Sequence, residues 1–127
     1  MLRTLIVEDN AAFRQSLRSL VREALPDADI AEAGDGEEAL RQIAAAPPDF
    51  IFMDIRLPKD NGLRLTKLIK AAHPGIVIAI ITNHDLPEYR RAAADNGASY
   101  FIPKDTPTDE IVAIVRAVRE SKIAACL

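Results

Sequence analysis

Apolar runs in this chain repeatedly stop at a polar residue: Leu5-Ile6-Val7 at Glu8-Asp9, Phe50-Ile51-Phe52-Met53 at Asp54, Ile78-Ala79-Ile80-Ile81 at Thr82, and Phe101-Ile102-Pro103 at Lys104. Short continuous apolar runs of this kind read as buried strands. Between them the spacing turns helical. Phe13, Leu17, Leu20 and Val21 form one apolar face, and Ile111, Ile114, Val115 and Val118 form another. The alternation predicts five βα units, with strands over 2–7, 29–33, 50–54, 77–82 and 100–103 and helices over 11–24, 37–45, 62–72, 87–95 and 108–121. Pro47-Pro48, Asp60-Asn61-Gly62, His73-Pro74-Gly75 and Asn96-Gly97 punctuate the joins with turn formers.

Five such units predict an α/β fold with a parallel sheet. Central parallel strands are buried on both faces and should be continuously apolar. The first, third and fourth runs meet that test. The second, Asp29-Ile30-Ala31-Glu32-Ala33, carries charge, and the fifth contains Pro103, which cannot donate a ladder hydrogen bond. Both belong at the edges. Right-handed crossovers with helices on both faces then favour the strand order 2-1-3-4-5, a flavodoxin-like (βα)5 doubly wound parallel sheet. In that order the topological switch point lies between the first and third strands, so the ligand crevice opens between Glu8-Asp9 and Asp54.

Length and composition narrow the class. The 127 residues suit one domain, which buries roughly two-thirds of its unfolded surface. No repeat, low-complexity tract or linker divides the chain, so it reads as one unit over 1–127. The single cysteine, Cys126, rules out an internal disulfide framework; it fits a reducing compartment and reads as unpaired and incidental. The longest apolar stretch, from Ile76 to Ile81, is far short of the roughly 18 residues of a membrane span. Neither signal peptide nor membrane anchor is expected, and the localisation is read as cytoplasmic. A formal charge of -3 lacks the basic footprint of a nucleic-acid binder, so direct nucleic-acid binding is not expected without an attached domain.

The crevice itself asks for a cation. Carboxylates in close pairs repel by roughly 1 kcal/mol in water and several times that when partly desolvated. Only oxygen ligands are offered, which favours a hard ion; Mg²⁺ typically takes few carboxylates, several waters and a phosphoryl oxygen. Lys104 would add a point charge for that phosphoryl group and Thr82 a hydroxyl donor, while Asp54 could attack phosphorus as a carboxylate nucleophile. Each residue alone has a plainer role. Asp9 or Asn10 could be a helix N-cap, Asp54 a turn residue, Thr82 a strand former and Lys104 a solvated cation. His84 reads as a loop residue near the site, and His73 as loop filler. The joint placement is what points to phosphate chemistry.

The segments Leu5-Ile6-Val7-Glu8-Asp9-Asn10, Ala33-Gly34-Asp35-Gly36-Glu37-Glu38-Ala39-Leu40, Pro48-Asp49-Phe50-Ile51-Phe52-Met53-Asp54-Ile55-Arg56-Leu57-Pro58, Asp60-Asn61-Gly62-Leu63 and Gly97-Ala98 before Lys104 together resemble a response-regulator receiver domain. The resemblance runs the whole chain. It implies that Asp54 is the phosphoacceptor, that Glu8, Asp9 and Asp54 hold Mg²⁺, and that the Ile55 or Arg56 backbone carbonyl completes the set, with Arg56 preferred. It also implies that Thr82 and Lys104 bind the phosphoryl group. The implied donor is a sensor histidine kinase, a phosphotransfer protein or a small phosphodonor. Such a domain is a signalling device rather than an enzyme, although it assists its own phosphorylation and dephosphorylation.

The family's switch maps with departures. Phosphorylation is expected to draw Thr82 inward and to turn Phe101 with it, altering the face formed by the fourth helix, fifth strand and fifth helix. A tyrosine is common where Phe101 stands. Asn83 replaces a usual alanine, and Asn83 and His84 are expected to modulate access and dephosphorylation. Lys104-Asp105 resembles receivers of the NarL/FixJ type, whose output domains regulate transcription, yet no such domain follows before Leu127; a stand-alone receiver and a piece of a longer regulator both fit. A homodimer through the output face is a family expectation. Two alternatives are a degenerate receiver acting as a constitutive interaction module and a flavin or nucleotide binder on the same fold. The second would want a glycine- or hydroxyl-rich loop after the first strand, where Glu8-Asp9-Asn10 instead repels phosphate.

Overall fold

The computed structural model describes residues 1–126. Its elements are β1 (Arg3–Val7), α1 (Ala11–Ala24), β2 (Asp29–Ala33), α2 (Gly36–Ala45), β3 (Phe50–Met53), β4 (Arg56–Leu57), β5 (Asp60–Asn61), α3 (Gly62–Ala72), β6 (Val77–Thr82), α4 (Pro87–Asp95), β7 (Tyr100–Pro103) and α5 (Thr108–Cys126). Five strands form one parallel sheet in the order β2-β1-β3-β6-β7. Counted within that sheet, the order is the expected 2-1-3-4-5. The numbering differs because β4 and β5, each two residues long, form a separate antiparallel hairpin, its second strand falling on the turn formers Asp60-Asn61.

Alternation along the strands splits the core into two layers. Leu5, Val7, Ile51, Met53, Ile78 and Ile80 pack with Ile43 of α2, Leu65 and Ile69 of α3 and Ala93 of α4. Ile6, Phe50, Phe52, Ala79, Ile81 and Ile102 meet Leu17 and Val21 of α1 and Ile111, Val115 and Val118 of α5. Every residue of β3 is buried, as a central strand requires. The charged β2 and the proline-bearing β7 lie at the two edges.

Caps fix where the helices begin. Asn10 Oδ1 accepts the Phe13 N–H at 2.9 Å, and Asp35 Oδ1 accepts that of Glu38 at 2.8 Å. Asn10 therefore takes the capping role and leaves the Asp9 carboxylate to the crevice. Helix α5 runs five residues past the expected end at Ser121, since Lys122, Ile123, Ala124 and Ala125 give no stop signal. The side chain of Cys126 lies outside the described residues. Among the described residues no helix is long and apolar enough to cross a membrane.

Candidate functional site

Glu8, Asp54 and Lys104 are each held by the ladder just beyond a strand end. The Glu8 N–H donates to the Ala33 carbonyl at 3.0 Å, Asp54 to Val7 at 3.1 Å and Lys104 to Thr82 at 2.8 Å. Parallel pairing thereby aligns Glu8, Asp54, Thr82 and Lys104 along one sheet edge. Oxygens of Glu8, Asp9 and Asp54 lie within 4.8 Å of one another. Glu8 and Thr82 are fully buried and Asp54 is nearly so, whereas Asp9 is exposed.

Lys104 compensates this charge directly. Its Nζ donates to Glu8 Oε1 and, at 3.4 Å, to Asp54 Oδ2. Burial alone would lower the ammonium's proton affinity; the hydrogen bond to Glu8 and the charges of Asp54 and Glu8 outweigh it and raise the Lys104 pKa. Burial raises the Glu8 pKa above the usual carboxylate value, and the neighbouring Asp54 adds to the rise against the opposing effect of Lys104. Asp54 is oriented by the Ile55 N–H, which donates to its Oδ1 at 2.8 Å.

The remaining expected residues fall around this centre. Thr82 Oγ1 accepts the His84 N–H at 3.1 Å, so His84 meets the site through its backbone; its ring stands edge-on to Tyr89. Asn83 is exposed and lines a cleft with Thr82, Asp85, Pro103, Lys104 and Asp105. Arg56 opens β4 two residues past Asp54, with its side chain exposed. The Ile55 carbonyl is already engaged, accepting the Gly62 N–H at 2.8 Å. Phe101 is half-buried under the Arg90 guanidinium, 4.8 Å from its ring centroid, and Arg90 is itself paired with Asp85.

Two contributors were hidden in the sequence. Phe13 belongs to the apolar stripe of α1, yet its ring centroid lies 4.6 Å from Lys104 Nζ. Arg14 donates from Nη1 to the Glu8 carbonyl at 2.8 Å and from Nε to Glu32 at 3.0 Å, bracing the turn after β1. A helical repeat shows which face is apolar but not what stands beneath its first turn.

The donor set suits a hard divalent ion: three carboxylates at one point, no sulfur or imidazole, and an internal ammonium that already marks the place as needing positive charge. Residues 4–116 match the family model of the response regulator receiver domain. The chain is 35% identical over 120 residues to the transcriptional regulatory protein LnrK of Bacillus subtilis, covering 93% of this chain and 54% of that protein. It spans about half the length of the curated relatives it matches. Among solved structures, the N-terminal domain of a Wolinella succinogenes protein superposes with a TM-score of 0.89 at 31% identity, covering 98% of this chain and 99% of that one. A LuxR-family two-component response regulator from Aurantimonas gives 0.85 at 30% identity, covering 93% of this chain and 84% of that one. With its parallel sheet carrying this acidic edge, the chain belongs to the response-regulator receiver family, the signalling domains of two-component systems.

Proposed function

We propose that the chain is a phosphorylation-switched receiver in which Asp54 accepts a phosphoryl group in a Mg²⁺-dependent step. The carrying observation is the convergence of Glu8, Asp9 and Asp54 at one point with Lys104 bridging two of them. A carboxylate oxygen of Asp54 bonds to phosphorus as the donor's bond to phosphorus breaks, and the donor leaves with the electron pair. Glu8, Asp9, Asp54 and the Arg56 carbonyl would hold the ion; the prior engagement of the Ile55 carbonyl favours Arg56. When bound, the ion supplies charge neutralisation between carboxylates and phosphoryl oxygens. Lys104 pairs with a phosphoryl oxygen, and the Thr82 hydroxyl donates to another.

The donor is a sensor histidine kinase, a phosphotransfer protein or a small phosphodonor. Movement of Thr82 is passed to the loop through its bond with the His84 N–H and to β7 through the Lys104 N–H bond to the Thr82 carbonyl. Phe101 reads it on the face of α4, β7 and α5, where a partner, an attached output domain or a second copy docks. Asn83 beside the cleft modulates access. A constitutive interaction module would not need all five of Glu8, Asp9, Asp54, Thr82 and Lys104. Intact mass with Mg²⁺ and a small phosphodonor should show one added phosphoryl group, absent with a chelator and absent in Asp54→Asn. An unchanged gain in Asp54→Asn would overturn the reading.

A further inference from the structure

Lys104 has a third partner that the receiver chemistry does not account for. Besides its contacts with Glu8 and Asp54, its ammonium stands over the face of Phe13. The Asn10 cap fixes Phe13 in the first turn of α1. While Leu17 and Val21 of the same stripe are buried, Phe13 is only half-buried and lines the groove between α1 and α5 with Lys104, Thr106 and Ile111. The Lys104 side chain is 13% exposed, with this ring and the two carboxylates all close to its ammonium.

We propose that Phe13 is a positioning residue for Lys104, holding the ammonium over its ring face at the mouth of the acid cluster. The inference rests on the receiver reading and adds a group to it. A lysine stem is flexible and its ammonium strongly hydrated, so a single carboxylate contact does not fix its direction. Once Glu8 turns to a divalent ion, Lys104 loses one of its two anionic contacts; the ring quadrupole, which attracts a desolvated cation, keeps it within reach of the phosphoryl group on Asp54. An aliphatic side chain would fill the groove without that pull.

Phe13→Leu keeps apolar bulk and removes the ring, whereas Phe13→Tyr keeps the ring. With saturating Mg²⁺ and a small phosphodonor, Phe13→Leu should slow phosphate gain by roughly three- to tenfold, and Phe13→Tyr should stay within about twofold of wild type. In the metal-free protein, the Lys104 ε-methylene proton signals should be shifted upfield by the ring, return in Phe13→Leu and persist in Phe13→Tyr. A wild-type rate in Phe13→Leu, or an equal fall in both variants, overturns the positioning role. Failure of the wild type itself to gain phosphate would instead overturn the receiver reading.

Discussion

Asp9 is the exposed carboxylate of the cluster and makes no ion pair among the described residues, while Lys104 is shared by Glu8 and Asp54. Without a metal its charge only adds repulsion, which Asp9→Asn relieves. Its metal-free stability should rise by about 0.5–1 kcal/mol in urea unfolding. Wild type should gain about 1.4 kcal/mol at ten times the Mg²⁺ dissociation constant, and Asp9→Asn much less at the same concentration. Equal Mg²⁺ stabilisation of both proteins would remove Asp9 from the metal site. The placement of Glu8, Asp9, Asp54, Thr82 and Lys104 at one sheet edge was legible because strand ends carry them, and strand ends are visible as breaks in apolar runs. The Lys104–Phe13 contact and the Arg14 bond to the Glu8 carbonyl were not, since they depend on how α1 is rotated over the sheet.

The β4–β5 hairpin ties the loop after Asp54 to α3. It shows no strand period in the sequence: each strand is two residues long, and Pro58 and Lys59 turn between them, Lys59 at φ 59°. Its register depends on Gly62, where an added Cβ would lie 1.9 Å from the Asp54 carbonyl oxygen and 2.9 Å from Met53 Cγ. Gly62→Ala must move the backbone that carries Asp54. It should cost about 2–4 kcal/mol of folding stability and depress phosphate gain beyond that loss. Preserved stability and activity would show that the loop yields freely. The hairpin is also clamped by Arg64, which donates to Asp60 at 3.0 and 2.8 Å. That bond is the main reason the Asp60 pKa lies below its ordinary 3.8. Because the folded value is lowered, the stabilisation is present above roughly pH 4 and is lost as pH falls through the lowered value. Asp60→Asn should therefore be less stable than wild type at neutral pH, with the gap closing in strong acid. A gap that persists in strong acid would assign the loss to something other than the ion pair.

At the scale of the whole molecule, the sheet order gives the site its form. Charge in β2 and proline in β7 pushed those strands to the edges, leaving β1 and β3 adjacent and their acidic ends at the switch point. Composition marked the two edge strands, and the right-handed crossover rule supplied the rest of the order. The output side was less legible. Phe101 in place of tyrosine was visible, but the Arg90 guanidinium over its ring and the Asp85–Arg90 pair join a loop, a helix and a strand that no local pattern connects. The central claim is that phosphate resides on the carboxylate between these halves. An acyl phosphate is reduced by borohydride, converting the aspartate that carried it to homoserine, which peptide mapping can locate. After treatment with Mg²⁺ and a small phosphodonor, homoserine is expected at position 54 and nowhere else. Homoserine at another acidic position, or phosphate that resists borohydride, would contradict the account.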